Sequence, residues 1–289
     1  MYGMTVGEIR GTPLGKPFLD RLAESGIESL LDVPHDQLDL RDYAELSADG
    51  GFPHSALCLP ASERQPWLES YLDQLMTRDL AGLGTHRDPQ LLRRYLESYA
   101  LNTAGVTDHS AIYQAAGIAK NTGEAYERLL RNLLIIESLP AWWTNRIKRL
   151  VRSPKRYLVD SSLALAILRT DVNGLMRDGD LLGRVIDTFA VSQLRAQLAT
   201  CESRPRLFHL RQEKGQHEVD AIVEYGGGRV VGLEIKATNA PGRDDARHLR
   251  WLRDELGDRF LGGVVLNTGR RAFLLDERIA AIPISALWR

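Results

Sequence analysis

The sequence predicts a mixed α+β (α/β) fold: a helical N-terminal region, a winged helix-turn-helix, and a C-terminal mixed sheet flanked by helices. Three observations carry this. Apolar residues recur at helical spacing in the first half, as in Leu91, Leu92, Tyr95, Leu96 and Tyr99. A short helix, a turn at Gly117-Ile118-Ala119 and a second helix run into extended segments and a basic run. Near the end, strict alternation on both sides of Gly226-Gly227-Gly228 reads as paired strands.

Residues 1 to about 65 carry the least pattern. A helical stretch lies near Phe18–Leu31, and Gly50-Gly51-Phe52-Pro53 and Pro60 through Pro66 read as loops. A helix is predicted from Pro66, a residue suited to a first turn, with Leu68, Tyr71, Leu72 and Leu75 inward. The next begins after Asp88, a suitable N-cap, with Pro89 at its first position.

Residues from about 108 to 160 read as a winged helix. Ser110–Ala116 is the first helix. Asn121 or Thr122 caps the second, whose inner face is Ala125, Leu129, Leu130 and Leu133. Extended segments follow at Leu134–Ile136 and Arg156–Val159. Between and within them lies the dense basic cluster Arg146, Lys148, Arg149, Arg152, Lys155 and Arg156. A helix-turn-helix with a basic wing suits phosphate contacts on DNA. Glu124 and Glu127 on the second helix oppose such contacts, so the residues equally allow a packing or protein-contact module.

From about residue 178 the pattern is α-β-β-β-α-β. A long helix near 180–199 precedes strands near Leu207–Arg211, His217–Tyr225 and Arg229–Thr238. A helix near Asp244–Leu256 and strands at Leu261–Asn267 and Ala272–Leu275 complete it. Folding the central hairpin about Gly227 sets Asp220 opposite Glu234 and Glu218 opposite Lys236. Facing carboxylates destabilise a hairpin unless something lies between them. A magnesium ion satisfies that need, since it takes one or two carboxylates plus waters and phosphate oxygens. Asp220, Glu234 and Lys236 are therefore the candidate catalytic residues. Asp220, Glu234 and the Ile235 carbonyl are candidate metal ligands, with Glu218 and His217 as secondary groups.

The bulk numbers narrow the classes. The 289 residues carry 37 Lys and Arg against 38 Asp and Glu, a formal net charge of -1, so nucleic-acid binding requires a local patch. The two cysteines, Cys58 and Cys201, are far apart in sequence, which argues against a disulfide framework or zinc and points to a cytoplasmic setting. No apolar run is long enough for a membrane span, and no G-x-x-x-x-G-K-[ST] is present.

Six segments occur in order: R-S-P-K-R-Y-L-V-D-S-S-L, L-L-G-R-V-I-D-T-F, E-V-D-A-I-V-E, L-E-I-K-A-T, G-G-V-V-L-N-T-G and P-I-S-A-L-W. Together, over roughly residues 65 to 289, they resemble the C-terminal half of prokaryotic AAA-type ATP-binding proteins, the domain of unknown function 4143. The resemblance implies a winged helix followed by a PD-(D/E)xK nuclease-like domain. It divides the chain into a linker remnant at 1–65 after an absent P-loop ATPase domain, a helical and winged-helix domain at 66–177, and a nuclease-like domain at 178–289. It also implies a further metal ligand on the first core helix, where Asp187 stands in place of the usual Glu.

Two functions follow as expectations. One is magnesium-dependent phosphodiester hydrolysis with no ATP site in this chain. The other is a non-catalytic DNA-binding or regulatory module acting with an AAA-type ATPase or another protein, including a toxin–antitoxin-like role. DNA is the expected partner, a homo-oligomer is allowed, and no membrane is expected.

Overall fold

The computed structural model describes residues 2–12, 15–79, 88–143, 153–212 and 216–289. Along the chain run α1 (Val6–Ile9), α2 (Phe18–Ser25), α3 (Leu40–Asp49), α4 (Pro53–Cys58), α5 (Ala61–Gln74), α6 (Pro89–Leu101), α7 (His109–Ala116) and α8 (Lys120–Asn132). Then come β1 (Ile136–Leu139), β2 (Lys155–Leu158), α9 (Ser162–Leu168), α10 (Val172–Arg177) and α11 (Gly179–Leu198). The last part holds β3 (Arg206–Arg211), β4 (Glu218–Glu224), β5 (Val230–Lys236), α12 (Arg247–Leu256), β6 (Phe260–Asn267), β7 (Phe273–Asp276) and β8 (Ile279–Pro283). The fold is mixed α+β, with a helical N-terminal half and a six-stranded mixed sheet with helices toward the C-terminus. Two compact units interleave along the sequence. One comprises Ala44–Ser138 and Lys155–Phe189; the other comprises Tyr2–Tyr43, Leu139–Pro154 and Ala190–Arg289.

In the helical unit, α5 begins at Ala61 rather than at Pro66, which lies inside it. Leu68 and Leu72 bury one face, and that packing outweighs the single backbone hydrogen bond that Pro66 cannot donate. Asp88 caps α6 as expected, its Oδ1 accepting from the Gln90 N–H at 2.8 Å. Gly117, at φ +66°, closes α7 in the left-handed conformation. Helix α8 then starts at Lys120 without a side-chain cap, so Asn121 and Thr122 fall in its first turn. A Cβ at Gly123 would meet the Tyr113 ring at 2.3 Å, so α7 and α8 approach as closely as glycine permits. The two-stranded sheet β1-β2 follows.

In the sheet unit the strand order is β3-β4-β5-β6-β8-β7. The pairs β3-β4 and β4-β5 are antiparallel, β5-β6 and β6-β8 parallel, and β8-β7 antiparallel. Helix α12 lies on this sheet, and Leu249, Leu252 and Leu256 pack with Ile222, Phe260, Val265 and Ile279 in one core. β8 was not expected from the pattern, because Ala280 and Ala281 leave no alternation to read.

Residues 2–43, expected to be a linker, bury Phe18, Leu19 and Leu22 within this unit. The fully buried Asp20 accepts from the backbone N–H groups of Glu202 and Ser203, and the Tyr43 hydroxyl accepts from the Ser285 N–H at 3.0 Å.

Candidate functional site

The site grows out of the β4–β5 hairpin. The pairs Ala221↔Leu233, Ile222↔Gly232, Val223↔Val231 and Glu224↔Val230 give the register expected for a turn centred on Gly227. One step further along both strands stand Asp220 and Glu234. On its other side β4 pairs with β3 through Phe208↔Ile222 and Leu210↔Val219. His209 therefore faces two residues, Asp220 and Ala221. Such a bulge bends its strand and re-aims a side chain, here at the carboxylate of interest.

Asp220 Oδ2 accepts from the Ile235 N–H at 3.0 Å. Lys236 Nζ lies 2.8 Å from Glu234 Oε2 and 3.8 Å from Asp220 Oδ2. The ammonium thus stands against both acids. The expected pairing of Lys236 with Glu218 is replaced: Glu218 lies opposite Arg211 on β3, with Arg211 Nε 3.6 Å from its Oε2. The β4–β5 register ends at Ala221↔Leu233, short of Glu218.

Glu234 is 2% exposed, and its Oε1 is buried without a hydrogen-bond partner. Burial, reinforced by Asp220, holds its carboxyl well above the usual carboxylate range, with Lys236 opposing. The Lys236 ammonium is held above its ordinary range by Glu234 and Asp220, against burial. The two directions agree if one ammonium balances one of two acids. The proton that remains then belongs on Glu234, the acid without solvent.

Two imidazoles lie beside this cluster. His217 stacks on Trp251 with centroids 4.1 Å apart, and His248 meets His217 edge-on at 5.8 Å. His248 Nε2 accepts from Arg247 Nε at 3.0 Å, so its proton sits on Nδ1, which is buried and unpartnered. Burial, then Arg247, His217 and Lys236, hold His248 below its ordinary pKa. The sequence pattern missed His248. Its signal was the spacing of His248 and Trp251, one turn apart on α12.

Asp187, Lys155 and Arg156 belong to the helical unit. Asp187, on α11, is 7% exposed and takes Lys155 Nζ at 2.6 Å and the Tyr157 hydroxyl at 3.0 Å, one on each oxygen. Its carboxylate is thus engaged by the strand β2. Lys155 and Arg156 are themselves buried, and Arg156 donates to the Thr107 carbonyl. Neither presents its charge to solvent as a basic wing would. Arg146, Lys148, Arg149 and Arg152 lie outside the described residues. Among the described residues no three His, Cys, Asp or Glu side chains gather closely enough to hold a metal. Any ion at this cluster would draw on two carboxylates, the Ile235 carbonyl and water, a donor set that suits magnesium. The buried Glu234 carboxyl beside Asp220 fits that demand.

This cluster lies in the part of the chain that the comparisons identify. Residues 182–287 match a domain of unknown function, DUF4143. Residues 40–173 match another, DUF8612, so the DUF4143 match begins well after residue 65. Over 252 residues the chain is 28% identical to the uncharacterized proteins Rv2008c of Mycobacterium tuberculosis and Mb2031c of Mycobacterium bovis. The alignment covers 85% of this chain and 55% of each relative, so the chain spans about half the length of the curated relatives it matches. No solved structure matches. The DUF4143 segment holds β4, β5 and α12, and with them Asp220, Glu234, Lys236 and His248. Among the described residues no helix is long and apolar enough to cross a membrane.

Proposed function

We propose that the sheet unit hydrolyses phosphodiester bonds of nucleic acid at Asp220, Glu234 and Lys236 with a bound divalent cation. The observation that carries this is the approach of two carboxyls, the buried Glu234 and Asp220 beside it, around the single ammonium of Lys236. Asp220, Glu234 and the Ile235 carbonyl would hold magnesium, which when bound polarises a phosphate oxygen and lowers the pKa of a bound water. The Ile235 N–H fixes the Asp220 carboxylate. Lys236, its side chain 34% exposed, keeps positive charge where a phosphate would stand and stabilises charge developing on it.

The test is cleavage of labelled DNA and RNA with Mg²⁺ or Mn²⁺. Wild type should cleave, and Asp220→Ala and Glu234→Gln should not. Equal backgrounds in all three sink the reading.

A second reading has its own observation. Lys236 already stands against both acids, so the cluster is largely balanced without a cation. On this reading the sheet is a non-catalytic scaffold in a DNA-binding or regulatory module, and an AAA-type ATPase is supplied by another domain or chain. Salt-dependent DNA binding without cleavage, lost when Arg149 and Arg152 are neutralised, is its expected signature.

A further inference from the structure

Strands β5 and β6 run parallel, and their carboxyl ends open into a crevice of about 480 Å³. One wall is Asn239-Ala240-Pro241, just after β5; the other is Thr268-Gly269-Arg270-Arg271, just after β6. In open sheets with parallel strands, ligands bind at this end of the strands. The walls are built to stay put. The Thr268 N–H donates to the Thr238 carbonyl at 2.9 Å. The Gly269 N–H donates to Asn267 Oδ1 at 2.8 Å, and a Cβ there would come within 2.3 Å of the Asn239 carbonyl oxygen. This is the work of the L-N-T-G end of the G-G-V-V-L-N-T-G segment, which the hydrolytic cluster does not use.

Two features of the crevice point to an anion. Arg270 and Arg271 are both exposed at its rim. Arg270 makes one loose exposed pair with Asp39 at 3.6 Å, which contributes little. Thr268 is fully buried, and its hydroxyl has no hydrogen-bond partner. The two guanidinium groups supply charged donors of the kind that phosphate oxygens require, with Asp39 the one acid among the lining residues. The crevice also adjoins the cluster. Lys236 pairs in register with Asn267, and the walls begin three residues beyond the one, at Asn239, and one beyond the other, at Thr268.

We propose that this crevice is a phosphate subsite that holds the sugar-phosphate backbone of a nucleic acid next to Asp220, Glu234 and Lys236. The inference rests on the phosphodiesterase reading for its choice of ligand, while its own evidence is the crevice.

The test measures binding of a fluorescent oligonucleotide of about 20 nucleotides by anisotropy, at low salt and in EDTA, so that no cleavage intervenes. Wild type should bind, and the Arg270→Gln/Arg271→Gln double variant should bind about tenfold or more weakly, with a shallower salt dependence. Unchanged affinity in the double variant, or wild type that binds no oligonucleotide, overturns the proposal. So does competition by inorganic phosphate that an oligonucleotide cannot match, which marks the crevice as a free-phosphate site. Arginine-dependent binding by a wild type that never cleaves would remove the hydrolytic reading and leave the subsite standing.

Discussion

Lys236 Nζ lies 2.8 Å from Glu234 Oε2, two residues back on the same face of β5. The same ammonium lies 3.8 Å from Asp220 Oδ2 on β4, so one cation serves both carboxyls. Lys236→Met removes that charge and leaves two carboxylates together. Breaking a buried pair costs about 3 to 5 kcal/mol. With the Lys236 side chain 34% exposed, solvent screening reduces this to about 1 to 3 kcal/mol. Urea unfolding at neutral pH should show the loss, and it should shrink in mild acid, where the carboxyls take up protons.

Glu234 sets a pH dependence of stability. Its carboxyl is held well above the ordinary value of 4.5 by burial and Asp220. The folded chain therefore keeps this proton where the unfolded chain has lost it. The sign follows: the contribution is fully present below the unfolded value and is lost as pH rises through the raised folded value. Glu234→Gln, which mimics the protonated acid, should flatten this part of a melting-temperature profile and be as stable as wild type or more so at neutral pH.

The same proton governs cation binding. Ligand carboxyls must ionise, so metal affinity should increase with pH. Calorimetric titration with Mn²⁺ should show tighter binding and proton release as pH rises, and no binding heat in Asp220→Asn or Glu234→Gln. A flat pH dependence would place any bound cation elsewhere.

Asp187 should behave as a structural residue. Lys155 is 2% exposed, and Asp187 faces its ammonium at 2.6 Å. Asp187→Asn leaves that buried charge without its counter-ion and should cost about 3 kcal/mol. Mn²⁺ affinity should stay at the wild-type value. A loss of affinity with no change in unfolding would reverse this assignment.

Gly232 sets the spacing between β5 and α12. A Cβ there would meet Leu249 Cδ2 at 2.7 Å and Leu252 Cδ2 at 3.0 Å. Gly232→Ala should destabilise by about 1 to 3 kcal/mol through overpacking, measured by thermal or urea unfolding.

The hairpin was legible because its information is local. Alternation fixed which residues share a face, and the glycine triplet fixed the register, so Asp220 and Glu234 could be set side by side. The bulge opposite His209 was not legible, since it depends on the pairing with β3, and neither was the pairing of Glu218 with Arg211. Lys155 and Arg156 misled for a related reason. Charged residues in a run read as solvated, and only the carboxylate of Asp187 and the carbonyl of Thr107, far off in sequence, explain their burial. His248 was not singled out, because helical periodicity picks out the apolar face and says nothing of a histidine beside it.

The order in which the sheet unit can assemble follows from its long-range contacts. Asp20 waits for Glu202 and Ser203, and Tyr43 waits for Ser285, 242 residues later. During synthesis the first forty residues emerge without the surface that buries Phe18, Leu19 and Leu22. At ribosomal speeds that interval lasts on the order of ten seconds or more. Loop-closure entropy must be overcome before those contacts form, so this unit should fold slowly. Refolding followed at Trp288, whose indole donates to Asp36, should report one of the last steps.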